Sequence, residues 1–231
     1  MQNHTNHFQS NKSPVTFAHM HRLVPKIPFW IPLIFPRYTW RLPTNERVVY
    51  LTFDDGPHPQ ITPFVLDLLK TYSAKATFFC IGKNVQQHPD VYQRILAEGH
   101  AVGNHTFDHL NGLKVRNSEY LANVQQATAV IQSNLFRPPY GRIRGIQATQ
   151  IKRMLGPRSH IIMWDVLSAD FDRGLTPEQC LNRVLKHTRA GSIIVFHDSE
   201  KAYPNLKEIL PKALKVLAGK GFRFDAIAVG L

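Results

Sequence analysis

The chain has 231 residues, 43% of them hydrophobic and 19% charged, and carries a formal charge of +12. That length and balance fit a globular domain with a sizeable core and exclude a disordered or fibrous chain. The positive charge favours an anionic neighbourhood such as a cell-wall polymer or a membrane surface, but with no dense Lys/Arg run and no nucleic-acid motif, nucleic acid is not an expected partner.

Residues 1–24 are polar and rich in His, Asn and Ser, without the apolar core or cleavage site of a secretory signal. His4, His7, His19 and His21 in this tail are expected to be solvated rather than metal-bound. The stretch from Ile27 to Phe35 is apolar, but a bilayer span takes about 20 residues. It reads as a packing segment laid against the domain, or as a shallow membrane-surface anchor flanked by Lys26, Arg37 and Arg41. Residues 1–45 are therefore expected to form a partly disordered extension and residues 46–231 the folded domain. With no transmembrane helix in view, the default location is cytoplasmic or peripherally membrane-associated. A monomer is expected.

From about residue 45 short apolar runs alternate with helical patterns. Val48–Phe53 reads as the first strand, and Thr62-Pro63 as the start of a helix. Ala76–Ile81 is the second strand, followed by a helix from His88-Pro89 to Gly99. A short third strand, Ala101–Gly103, precedes a helix over 118–131. Leu135-Phe136 is the fourth strand, 146–154 a helix, and Ile161–Val166 the fifth strand. Thr176-Pro177-Glu178-Gln179 is a capping box that opens the next helix. Ser192–Phe196 is the sixth strand, and Leu206, Ile209, Leu210, Ala213, Leu214 and Leu217 mark an amphipathic helix. Phe222–Ile227 is the seventh strand. This alternation predicts a parallel α/β protein, either a barrel or an open doubly wound sheet. Cys80 and Cys180 read as isolated buried side chains rather than a disulfide framework.

Polar residues unusual for a core follow the strands. Asp54-Asp55-Gly56-Pro57 follows the first, Asn104–His109 the third, Arg137–Gly141 the fourth, Asp165–Asp170 the fifth and His197-Asp198 the sixth. Strand C-terminal ends meet at one face of a parallel α/β fold, so these segments are expected to converge. Adjacent carboxylates at Asp54 and Asp55 repel and call for a nearby metal or arginine, although such a stretch also suits a simple turn. His105 and His109 have a spacing that shares one face of a helical turn and could share a metal. With a carboxylate they would suit Zn²⁺ with a bound water, or the facial triad of non-haem iron enzymes. His197, at the end of a buried strand, would serve as a general acid if it faced that site.

At these residues the sequence resembles the polysaccharide deacetylases, the NodB-homology group of carbohydrate esterases, over about residues 47–227. The resemblance rests on Thr52-Phe53-Asp54-Asp55-Gly56-Pro57, on His105-Thr106-Phe107-Asp108-His109, on Arg137-Pro138-Pro139-Tyr140-Gly141 and on Val195-Phe196-His197. It implies a distorted, TIM-barrel-like parallel (β/α) barrel of about seven strands. It implies a metal-dependent hydrolase that removes N-acetyl or O-acetyl groups from a carbohydrate such as an N-acetylglucosamine-containing glycan. Asp54 would be the base, and Asp55, His105 and His109 would hold a divalent metal, Zn²⁺ first and Co²⁺ or Ni²⁺ as substitutes. Arg137 would hold the Asp54 carboxylate in place, and His197 would protonate the leaving amine. The Tyr140 N–H beside Pro139 would stabilise the oxyanion, and Val195 would line a pocket for the acetate methyl.

One motif departs from the family. Its Asp-Ser-x-Asp-Trp segment aligns with Leu167-Ser168-Ala169-Asp170-Phe171, and Leu167 cannot supply the first Asp, taken here as the residue that tunes the catalytic His. Asp165 lies two residues back, on the same side of a strand, and is expected to take over that charge. An iron oxygenase would need a sandwich of many short strands, and pure sugar binding would not need Asp54, Arg137 and His197 together. Hydrolysis of a non-sugar amide on the same fold remains the alternative.

Overall fold

The computed structural model describes residues 26–228; the expectations for residues 1–24 lie outside the described residues. The elements run α1 (Ile31–Ile34), β1 (Val48–Asp54), α2 (Ile61–Thr71), β2 (Ala76–Cys80), α3 (Gly82–Gln87), α4 (Pro89–Ala97), β3 (Ala101–Asn104), α5 (Asn117–Thr128) and β4 (Leu135–Phe136). They continue with α6 (Gly145–Leu155), β5 (His160–Ile161), β6 (Val166–Leu167), α7 (Pro177–His187), β7 (Ile193–His197), α8 (Tyr203–Gly219) and β8 (Arg223–Phe224). All strand pairings are parallel, in the order β5-β4-β3-β2-β1-β7-β6, with β8 added beside β1. Of the two architectures that the alternation allowed, this is the curled barrel.

β2 is buried at every position, as expected for a parallel strand covered on both faces. Outward-facing Leu51, Phe53, Phe78, Cys80, Ile194 and Phe196 pack under the surrounding helices. Inward-facing Phe79, Leu135, Ile193 and Val195 fill the barrel together with Trp164. The capping box forms on α7, where Gln179 N–H donates to Thr176 Oγ1 at 3.2 Å and Thr176 N–H to Gln179 Oε1 at 2.9 Å. Thr62 does not cap α2. The helix starts two residues earlier than that capping would give, at Ile61, and His58 Nδ1 accepts the Gln60 and Ile61 N–H groups, each at 3.2 Å.

The expected fifth strand, Ile161–Val166, is instead two short strands, β5 and β6, joined by an irregular stretch. β5 and β6 are the two ends of the strand order, and residues 26–42 fill the gap between them. Thr39 N–H donates to Ile161 O at 2.9 Å and Met163 N–H to Thr39 O at 2.7 Å. On the other side Ile27 N–H donates to Asp165 O at 3.1 Å, and Arg41 bridges Ser192. Trp40 and Ile31 are buried in the inner core. Gly191 is required here: its φ is +79°, and a Cβ would sit 1.9 Å from the Leu42 carbonyl oxygen. Residues 26–42 thus close the barrel, bonded to the expected domain of residues 46–231. Among the described residues, no helix is long and apolar enough to cross a membrane.

Candidate active site

The parallel register sets the site. Asp54 ends β1 and is the register partner of His197, which ends β7, so the two stand side by side about 4.8 Å apart between strands. Behind Asp54 lies Arg137, completely buried. Its Nη1 donates to Asp54 Oδ1 at 2.6 Å and to Thr52 Oγ1 at 2.7 Å. Nε donates to Ile162 O at 3.2 Å and Nη2 to Met163 O at 2.9 Å, while the guanidinium lies 4.0 Å over the Phe79 ring. The irregular stretch between β5 and β6 therefore has a use: its free carbonyls ligate the arginine. A buried charge so satisfied is fixed in position, and removing one partner of such a pair costs about 3–5 kcal/mol.

Asp55 follows with φ +81°, which turns its side chain from the strand toward the two histidines. Asn84 Nδ2 holds the Asp55 carbonyl at 2.7 Å, and Ile81 N–H holds that of Gly56 at 2.9 Å. Gly56 has no room for a side chain: a Cβ would lie 2.1 Å from Asp198 Oδ2. Asp198 is fully buried, accepts the Thr62 hydroxyl, and donates its N–H to Asp54 O at 3.1 Å. Burial, against the help of Thr62, raises its pKa to about 7.

His105 and His109 meet Asp55 without a helix, which corrects the expected helical turn. Thr106 (φ +66°) and His109 (φ +57°) curl the segment instead. Asn104 Oδ1 accepts Thr106 N–H at 2.8 Å, and Asn123 on α5 accepts Phe107 N–H at 2.9 Å and Asp108 N–H at 3.0 Å. His105 Nε2 lies 3.7 Å and His109 Nε2 3.2 Å from Asp55 Oδ1, and one ligand atom from each of the three falls within 4.8 Å of the others. His105 Nδ1 contacts the Arg137 carbonyl at 2.8 Å; a carbonyl only accepts, so Nδ1 carries the proton and Nε2 presents its lone pair. Burial lowers the His105 pKa to about 4, keeping the ring neutral. Burial works against Asp55, yet the His109 hydrogen bond and the three imidazoles hold its carboxyl well below the usual range. One carboxylate and two imidazoles converging from two loops fit a divalent metal.

Pro138 and Pro139 bring Tyr140 to the same mouth. Tyr140 takes φ +60°, and its half-exposed ring stacks edge-on against His109 at 4.6 Å. Pro139 is buried, and Val195 is buried two residues below His197 on the inward side of β7.

The acid beside His197 is not the one expected. Asp170 Oδ1 lies 2.8 Å from His197 Nδ1, and its Oδ2 accepts the His197 N–H at 2.8 Å. Burial opposes charge on this ring, but Asp170, then Asp55 and Asp54, raise its pKa to about 9. Phe171 closes on the ring edge-to-face at 4.9 Å. Asp165 instead pairs with the start of β7, accepting Ile193 N–H at 2.9 Å and the Ser192 hydroxyl at 3.1 Å. That is four residues, about 13 Å of strand, from His197. Ala169, at φ +59°, turns the chain between the two acids. The second acid of the aligned Leu167–Phe171 motif was the available signal for Asp170.

Known proteins resemble the chain in sequence and in fold. The protein-family model described as polysaccharide deacetylase matches residues 41–156. A peptidoglycan-N-acetylglucosamine deacetylase of Bacillus cereus is 35% identical over 196 residues, covering 82% of this chain and 91% of that one. A chitooligosaccharide deacetylase of Azorhizobium caulinodans is 35% identical over 165 residues, covering 68% and 77%. The crystal structure of a peptidoglycan N-acetylglucosamine deacetylase superposes with a TM-score of 0.75 at 32% identity, over 86% of this chain and 95% of that one. The chain belongs to the polysaccharide deacetylase family, hydrolases acting on carbon–nitrogen bonds other than peptide bonds.

Proposed function

We propose that the chain hydrolyses the N-acetyl group of an N-acetylglucosamine-containing glycan, with Asp55, His105 and His109 holding a divalent metal, Zn²⁺ first. The observation that carries this is the pairing of Asp54 and His197 across β1 and β7, beside the Asp55/His105/His109 cluster. A base and an acid at one level can serve opposite sides of one scissile amide.

When bound, the metal would polarise the acetyl carbonyl and ease deprotonation of a water. Asp54, anchored by Arg137, accepts the proton of the attacking water. The Tyr140 backbone N–H would face the developing oxyanion, and Pro139 with Val195 would bound the acetate methyl. His197, held as imidazolium by Asp170, donates its proton to the leaving amine nitrogen. The substrate class is supported by the relatives' activities on peptidoglycan and chitooligosaccharides.

The test is acetate release from a panel of N-acetylated glycans and O-acetylated controls, run with and without chelator. Release should stop on chelation and return on zinc add-back. Release that chelation leaves untouched would falsify the metal assignment, and activity confined to O-acetyl esters or simple amides would overturn the substrate class.

A further inference from the structure

The segment that closes the barrel exposes far more apolar surface than closure needs. Phe29 is 84% exposed, Leu33 74% and Ile34 60%, with Trp30 and Phe35 each above 40%. Five of the ten exposed large hydrophobic residues in the described structure fall in this one seven-residue stretch. Pro28, Pro32 and Pro36 punctuate it and limit its freedom to fold inward.

Its position follows from strand direction. Lys26 pairs antiparallel with Val166, so the chain then runs toward the N-terminal end of β6. It returns beside Ile162 in parallel at Thr39 and descends again antiparallel at Arg41. The apolar tip therefore lies at the N-terminal end of the barrel, opposite the mouth that holds Asp54 and His197.

The charge around the tip has one sign. Residues 26–45 and 120–164 contain no Asp or Glu. Arg37, Lys152 and Arg153 line a cavity of about 600 Å³ beside it, together with Tyr38 and Pro157. Lys26 and Lys186 crowd His187, while Arg41 and Arg189 face Asp165. The acids at this end are taken up: Asp165 is buried, and Arg223 engages both Glu46 and Asp225.

We propose that this end of the barrel rests on an anionic phospholipid surface. Phe29, Trp30, Leu33, Ile34 and Phe35 enter the headgroup boundary, and Arg37, Lys152 and Arg153 meet lipid phosphates. Aromatic and aliphatic side chains ringed by cations are what an interfacial contact needs, and each cation near an anionic leaflet adds attraction. A second copy of the chain would bring like charge against like. An anionic wall polymer alone would leave the apolar tip in water. The docked barrel presents its catalytic mouth away from the lipid.

The experiment is co-sedimentation of the full chain with phosphatidylcholine vesicles and with vesicles carrying about a quarter phosphatidylglycerol. Trp40 and Trp164 are buried, so a blue shift of tryptophan emission on binding reports Trp30. Binding should be confined to the anionic vesicles, weaken with salt and shift the emission. The triple variant Phe29→Ser/Leu33→Ser/Ile34→Ser and the charge variant Arg37→Glu/Lys152→Glu/Arg153→Glu should each weaken it at least roughly tenfold. Thermal unfolding and hydrolysis of a soluble chitooligosaccharide should stay unchanged in both. Equal binding to uncharged vesicles, no binding to either, or variants that bind like wild type would overturn the proposal. So would a wild-type dimer that the serine variant splits without any vesicle binding.

Discussion

Asp170 and Asp165 both lie against β7, five positions apart in the chain, and they do opposite things. At the C-terminal end of the barrel Asp170 meets an imidazole and keeps it protonated. At the N-terminal end Asp165 meets only a backbone N–H and a hydroxyl within hydrogen-bonding range, with Arg189 farther off at 3.9 Å, and burial raises its own pKa to about 6. One end of the sheet uses buried carboxylates to set the charge of neighbours. The other uses one to tie the stretch before β6 to the start of β7. A buried carboxylate is therefore informative only together with the group it faces.

The comparison breaks first at Asp54, where the catalytic end predicts the largest effect. Asp54→Asn should lower turnover by roughly 10²–10⁴-fold while metal content, read by elemental analysis, stays at the wild-type level. Full activity in that variant would remove Asp54 from the mechanism.

Next comes Asp170→Asn, expected to lower kcat/KM by roughly tenfold to a hundredfold near neutral pH. The sign follows from the raised His197 pKa. The imidazolium is favoured in the folded protein, and its stabilisation is complete below the free imidazole value of about 6.5 and lost as pH rises through about 9. Without Asp170 the basic limb of the pH–rate profile should move toward neutral. A basic limb that stays in place would show that something else sets the His197 proton.

Gly191→Ala probes the opposite end, where the new Cβ would meet the Leu42 carbonyl at positive φ. It should cost on the order of 1–3 kcal/mol in denaturant unfolding while turnover per folded molecule is kept.

The smallest effect is expected from Asp165→Asn, which should leave turnover and the pH–rate profile unchanged. Its signature is in stability. The folded protein binds this proton more tightly than the unfolded chain, so wild-type stability falls as pH rises from about 4 to 6. The variant should flatten that slope, measured as the urea midpoint against pH. A shifted pH–rate profile would return Asp165 to the site.

The sequence by itself determined the α/β alternation, the convergence of polar segments at the strand ends, and the residues that surround the mouth. These were legible because a parallel sheet sends every strand's C-terminal end to one face, whatever the loops do. Asp54, Asp55, His105, His109, Arg137 and His197 are brought together on that rule alone. Only the tertiary structure decided which acid meets His197. That choice turns on Ala169 at φ +59° and on a register fixed by β7, and neither leaves a periodic trace in the sequence. The loop that joins His105 to His109 was misread as a helical turn for the same reason, since two residues of positive φ do the work of a helix. The closing role of residues 26–42 was hidden because their partners, Ile161, Asp165 and Ser192, lie more than a hundred residues away. Composition showed that this segment was apolar and its flanks basic. Which side chains it buries and which it leaves exposed, Trp40 and Phe29 respectively, was settled by the gap between β5 and β6, a property of the closed sheet and of no single segment.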